Sequence, residues 1–244
     1  MHTTPSPDRV AVVGHGRLGT ALAGALAAAG TDVVGPLGRG ADPRDAAVVL
    51  LCVPDAEIPA AAAAVTPGPL VGHCSGATGL DALAPHEAFG LHPLMTVPVH
   101  GAVFAGASCA VAGTTDRALA AAHVLADRLE MRPFTIDDAD RAAYHAAASI
   151  ASNFLLAVEH AAERLATSAG ADRSLLVPLV RATVENWAAT GAHDALTGPI
   201  ARGDTVTVAR QREAVAERTP DLLPLFDALA LATQDLAAGP AVPA

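Results

Sequence analysis

Lysine is missing from this chain: all fifteen basic residues among its 244 are arginine. Schiff-base catalysis and a lysine proton donor are therefore excluded. Concentrated positive charge is missing too. The net charge is −10 with no basic cluster, and phosphate-backbone binding needs clustered Lys and Arg, so no nucleic-acid partner is expected. Cysteine is scarce. Cys52, Cys74 and Cys109 form no CxxC pair, which argues against a zinc site or a disulfide framework and reads as reduced core thiols. No run reaches about 18 strongly apolar residues free of breakers. The stretch MHTTPSPDRV has no signal-peptide layout, so a soluble, cytoplasmic protein without a membrane partner is expected.

Hydrophobic residues make up 52% of the chain, with alanine the largest share, enough for one large or two modest cores. Two domains are expected, residues 1–137 and 138–244. The first opens on RVAVVGHGRLGTALAGALAAAG, a β-branched run that passes through Gly14-x-Gly16-x-x-Gly19 into a helical stretch. Strand, glycine turn and helix are the context of the dinucleotide fingerprint. Gly14 permits the tight turn, Gly16 lets backbone approach a pyrophosphate, and Gly19 lets the helix pack on the strand. His15, Arg17 and Leu18 complete the turn, whose N–H groups and helix dipole favour bound phosphate.

A second absence follows the next strand, TDVVG. An NAD-binding chain places Asp or Glu there for the ribose 2′-OH, but this one reads GPLGRG, with Arg39. A guanidinium in place of a carboxylate favours a 2′-phosphate, hence NADP over NAD, with NAD still possible. The fingerprint does not separate a nicotinamide from a flavin or deazaflavin. Further strands are expected in DAAVVLLCVPDAEI, GPLVGHCSG and SCAVAG, of the continuous apolar kind found in buried parallel sheets. Ligands bind at strand C-termini in such sheets, which makes Cys52, Val53, Pro54, Ser75 and Gly76 candidates for the nicotinamide-side wall.

From about residue 138 the pattern is helical. RAAYHAAASIASNFLLAVEH holds the only tyrosine, Tyr144. At about 100° per residue, His145, Ser149 and Ser152 share one stripe with Asn153 on its shoulder, and Ala143, Ala147, Ile150, Phe154 and Val158 fall opposite. The polar stripe lacks the Glu and Arg of a solvated face. It reads as a cleft lining for a small polar substrate, or as close helix packing at a dimer seam. Pro178 is expected to kink or interrupt the following helix, and Asp204 to cap the one after ALTGPIARGD. In that loop, Thr197, Gly198 and Arg202 are candidates for gripping a substrate carboxylate. Hydride transfer to a carbonyl or imine needs a positioned proton donor. With lysine excluded, His92, His145 and Tyr144 remain, and histidine is favoured by its pKa. His92 precedes Pro93, which holds it extended. His2, His86, His100, His123, His160 and His193 show no ligand spacing, so no metal is expected.

The motifs VVGHGRLG, LLCVPDAEI, GHCSGATGLDAL, FGLHPLMTV, YHAAASIASNFL and ALTGPIARGD together resemble a bacterial family that joins a Rossmann-like domain to a helical domain of unknown function, domain of unknown function 2520. The resemblance runs over nearly the whole chain. It implies an α/β fold: an N-terminal Rossmann-type parallel sheet and a C-terminal all-α domain like that of the 6-phosphogluconate dehydrogenases. Where the family carries a histidine early in the helix after RGD, this chain has Gln211. More broadly the chain is similar to pyrroline-carboxylate reductases, ketopantoate reductases and 6-phosphogluconate-type dehydrogenases, which implies a dimerising helical domain and hence a homodimer. A local similarity of HCSG and LHPLM to prephenate dehydrogenase implies catalytic roles for Ser75 and His92. The expectation is an NADP-dependent oxidoreductase acting on a small, carboxylated carbonyl or imine compound, with His in place of Lys as proton donor. The competing expectation is a dinucleotide-binding sensor or scaffold without catalysis.

Overall fold

The structure is a computed structural model that describes residues 9–98 and 101–239; His2 and His100 lie outside them. Seven runs form one sheet: β1 (Arg9–Val13), β2 (Asp32–Leu37), β3 (Val48–Leu51), β4 (Leu70–His73), β5 (Ala88–Leu94), β6 (Ser108–Gly113) and β7 (Arg132–Thr135). Their spatial order is β2-β1-β3-β4-β5-β6-β7. The first five are parallel, as expected. β6 runs antiparallel to β5, and β7 follows β6, so the sheet is mixed rather than wholly parallel. The described residues linking β5 to β6 contain no helix. A parallel neighbour needs a crossover, commonly helical, and without one β6 pairs in the reverse direction.

Side chains alternate across the strands with period two. Val10, Val12, Val48, Leu50, Phe89 and Leu91 face the helices α1 (Arg17–Ala28) and α3 (Asp116–Arg128), which contribute Leu22, Leu26 and Leu125 to the same core. Ala11, Val13, Val49, Leu51 and Val71 face the other way and pack with Ile58 of α2 (Ile58–Ala63). Both faces are covered, which is why these strands are apolar throughout.

The long helix of the sequence is three consecutive segments: α4 (Arg141–Ser149), a π-helical turn (Ile150–Phe154) and α5 (Leu155–Ser168). The chain divides into two compact units, Met1–Ser152 and Asn153–Ala244. The division therefore falls after Ser152, not after residue 137, because Arg141 is buried in the first unit. The π turn inserts an extra residue into the helical phase after Ser149. Ala143, Ala147, Ile150 and Phe154, opposite the polar stripe, are exposed, and Val158 is half-buried. Arg141 is buried, and Tyr144, Ala148, Ser149 and Ser152 are half-buried.

The second unit consists of α5, α6 (Arg173–Thr190), α7 (Ala192–Ala195), α8 (Thr205–Arg218) and α9 (Leu223–Ala238). Pro178 sits inside α6 without interrupting it. It lies in the second turn, so the hydrogen bond it cannot donate is the one to the Ser174 carbonyl, at the very start of the helix. Asp204 caps α8 as expected, accepting from the Thr207 N–H at 3.0 Å and its hydroxyl at 2.7 Å. Arg164 pairs with Asp221, and Arg212 with Asp227. No helix among the described residues is long and apolar enough to cross a membrane.

Phe89, on β5, is the largest of the fully buried side chains among the described residues. Phe89→Ala is expected to cost about 3–5 kcal/mol, read from urea denaturation of the full chain followed by circular dichroism. A cost below ~1 kcal/mol would contradict this packing.

Candidate active site

The glycine turn is built by close approach. Gly14 has φ 124°, and a Cβ there would meet the Cys52 carbonyl oxygen at 2.2 Å. A Cβ at Gly19 would meet the Gly14 carbonyl oxygen equally closely. Gly16 opens onto empty space and begins α1 with no side-chain cap and no acidic residue in the first turn. The first-turn N–H groups of Arg17, Leu18 and Gly19 lack intrahelical acceptors, and the dipole adds to their pull on an anion. A cavity of about 230 Å³ lies against Gly14, His15, Gly16, Arg39, Cys52, Val53 and Pro54. A second, of about 450 Å³, continues along Arg17 and Thr20. Leu18 contributes backbone only, since its side chain packs into the core. These residues fit a dinucleotide's diphosphate.

β2 runs past TDVVG to Leu37 by way of a bulge opposite Ala11 and Val13. Gly38 therefore stands at the strand end where an acidic side chain would otherwise reach a ribose. Arg39 follows it, and its Nη1 donates to both carboxylate oxygens of Glu57 at 2.6 Å. The guanidinium lines the cavity but already has an anionic partner.

At the ends of β4 and β5 a second cluster forms. Tyr144 reaches from α4 to His92 on β5, with a hydroxyl–Nδ1 distance of 2.7 Å and perpendicular rings. The His145 ring centre is 6.4 Å from that of His92. Gly76 lies beneath both: a Cβ there would come within 2.9 Å of His92 Nε2 and 3.0 Å of His145 Cδ2. Burial, then His145 and the Arg141 cation, push His92 down to about 4, so its ring is neutral near pH 7. Burial raises the Tyr144 phenol to about 12. Both partners of this couple are neutral.

Two residues missed in the sequence hold the cluster. His73 ends β4, fully buried. Its Nδ1 accepts the Ser75 N–H at 3.2 Å while Nε2 lies 3.3 Å from the Gly79 carbonyl, and burial lowers its pKa. Arg141, 3% exposed, donates from Nε to Asp138 at 2.5 Å. Its Nη2 is 3.2 Å from the position of a Gly90 Cβ, on the same face of β5 as His92. The string HCSG offered a signal for His73. Arg141 had only its spacing before Tyr144.

Of the other predicted residues, Ser75 is a turn former. Its hydroxyl donates to Asp55 at 2.7 Å and accepts the N–H groups of Ala77 and Thr78, which leaves it no free proton for chemistry. His92 and His145 come together, and Ser149 is half-buried later on α4. Asn153, Thr197, Gly198 and Arg202 belong to the second unit. Among the described residues no group of side chains could hold a metal ion.

Residues 107–233 match the family described as Domain of unknown function (DUF2520), more than half of the 244 residues. The chain belongs to this family. Residues 38–98 match the Rossmann-like domain. The DUF2520 span begins just before β6, so it takes in the reversed strands as well as the helices. No curated protein matches the chain. Among solved structures, the chain is similar to BF3122 of Bacteroides fragilis, a candidate NADP oxidoreductase (TM-score 0.81, 18% identity, 93% of this chain and 98% of that one). It is also similar to a reductive aminase of Aspergillus terreus in complex with NADPH and ethyl levulinate (0.69, 18%, 96% and 98%). A third is pyrroline carboxylate reductase of Plasmodium falciparum with NADP bound (0.60, 12%, 96% and 100%). At these identities the likeness is one of fold.

His92 couples the site to stability. It is neutral in the folded chain above about pH 4, whereas an unfolded histidine titrates near 6.5. In that window the unfolded chain binds the extra proton, so stability falls as pH drops through it and levels off below. His92→Gln is expected to reduce the stability lost between pH 7 and 4.5 by up to about 3 kcal/mol, read by urea denaturation at each pH. An unchanged loss would mean that His92 is protonated in the native state.

Proposed function

We infer that this chain is an NADP-dependent oxidoreductase that interconverts a small, anionic carbonyl or imine compound and its reduced form. The observation that carries the reading is the His92–Tyr144 couple, 2.7 Å apart, at the C-terminal end of the sheet that bears the glycine turn. The three similar structures, described by NADP chemistry or by bound NADP or NADPH, support it.

A bound pyridine dinucleotide would supply or accept the hydride. The chain's own work is to bind, orient and move a proton. The turn Gly14–Gly19 would grip the diphosphate, with Val53 and Pro54 as a wall. Arg39 would meet a 2′-phosphate, exchanging Glu57 for it. Reduction of a carbonyl or imine leaves charge on the heteroatom that needs a proton. Neutral His92 gives its Nε2 proton from the side of Gly76 while Nδ1 takes the Tyr144 proton, leaving a phenolate that the Arg141 cation favours and that a proton from solvent returns to the phenol. Two neutral groups thus act as one donor without a lysine or an imidazolium, and His145 stands beside them as a further polar contact. Ser75 positions Gly76 rather than reacting. Arg141 makes the interior beside His92 positive, which favours a substrate carboxylate. That role fits Arg141, fixed on the same strand face as His92, and Arg202 is the alternative.

The second unit supports a homodimer. Val215 and Thr219 are its only buried side chains among the described residues, while Leu156, Leu175, Leu179, Trp187, Val206 and Leu231 are more than half exposed. An apolar surface of this size on a small helical unit is normally covered. Light scattering at micromolar concentration is expected to give twice the 24.4 kDa chain mass; a monomer would count against it.

Calorimetry is expected to show NADPH binding at least tenfold tighter than NADH, with Arg39→Ala removing most of that margin and leaving NADH unchanged. Equal affinities in the unaltered chain would overturn the 2′-phosphate assignment. In NADPH-oxidation assays over keto acids with and without amines, His92→Gln and Tyr144→Phe are each expected to lower turnover about 10²–10⁴-fold with NADPH affinity retained. Full turnover in both variants would remove the couple from the chemistry.

A further inference from the structure

Two of the cysteines that read from the sequence as separate core thiols are neighbours. Cys52 directly follows β3 and Cys74 directly follows β4. The parallel register pairs Leu51 with His73, so the cysteines take the next opposed positions. Both pack on the α1 side of the sheet, with their sulfurs 3.7 Å apart. Adjacent strands lie about 4.8 Å apart, inside the Cα separation of about 4.4–6.8 Å that a disulfide spans. Side-chain rotation closes the remaining gap.

Access to the pair is one-sided. Cys52 is half-buried and lines the 230 Å³ cavity at the glycine turn, whereas Cys74 is buried behind it. The third cysteine, Cys109, is fully buried on β6. It has no route to the cavity of its own.

We propose that Cys52 and Cys74 are a modification site for hydroperoxides, oxidised reversibly to a disulfide at the floor of the nucleotide cradle. The Cys52 sulfur attacks the terminal peroxide oxygen and the O–O bond breaks. The products are a sulfenic acid on Cys52 and the corresponding alcohol, or water when the oxidant is hydrogen peroxide. The Cys74 sulfur then attacks the Cys52 sulfur and forms the S–S bond. The sulfenic oxygen leaves with the Cys74 proton as water. Two thiols are oxidised by two electrons and one peroxide is reduced. Reaction is slow, because the contact with Cys52 and burial hold the Cys74 thiol well above the ordinary range, and thiolates are the faster nucleophiles. The inference goes beyond the functional reading and does not depend on it, since it concerns the thiols alone.

The test uses the full chain and hydrogen peroxide. Thiol titration after denaturation is expected to fall from three to one, and dithiothreitol to restore three. No arginine lies between Arg44 and Arg117, so trypsin leaves all three cysteines on one peptide. Cleavage at Asp55 and Glu57 separates Cys52 from Cys74, and unreduced digests should show these two peptides joined. Cys74→Ser should stop at a Cys52 sulfenic acid that dimedone traps, and Cys52→Ser should keep its two remaining thiols. Thiol loss without the Cys52–Cys74 link, linkage through Cys109, or no loss at millimolar peroxide would each overturn the proposal.

Discussion

A neutral imidazole at the end of β4 organises the far edge of this sheet. His73 is fully buried, and its two nitrogens engage the Ser75 N–H and the Gly79 carbonyl. An unpaired buried polar group is costly, so the turn between residues 75 and 79 must keep its shape for both to be satisfied. Ser75 closes the same turn through Asp55, Ala77 and Thr78. Gly76 is thereby held under His92 and His145, where no side chain would fit. The placement of His92 and His145 over Gly76 thus depends on a residue outside their own pair.

Electrostatics at this edge are set by burial more than by neighbouring charge. Desolvation is the first cause of the low pKa of His92 and of the high pKa of Tyr144. Arg141 works in the same direction on His92, as a cation enclosed by protein and matched on one side by Asp138. The result is a neutral histidine bonded to a neutral phenol beside a buried positive charge.

The two units differ in how they meet water. The first buries both faces of its sheet. The second leaves Leu, Val and Trp side chains exposed along α5, α6, α8 and α9, an arrangement that a second copy of the chain would complete. The thiol pair lies in the first unit against the glycine turn, where the Cys52 backbone packs on Gly14 and its Cβ lies under Gly19. Chemistry at Cys52 therefore acts on the same loop that would hold a diphosphate.

The glycine turn, the strands of the front half, the Asp204 cap and the extended backbone of His92 were legible in the sequence, because each rests on local rules: glycine spacing, apolar runs, capping and the restriction before proline. Four features required the fold. Strand reversal at β6 depends on which edge is free to pair. The inward placement of Arg141 and Tyr144 on α4 follows from their contacts with β5. The roles of His73 and Ser75 are fixed by hydrogen bonds across a turn. The adjacency of Tyr144 with His92, of Arg141 with Gly90, and of Cys52 with Cys74 joins positions far apart in the chain. Local sequence determined which segments form strands, turns and helices, since backbone preference and hydrophobic period act within a few residues. Only the tertiary structure decided which polar groups share one desolvated interior, because burial and charge are properties of what surrounds a residue, not of its place in the chain.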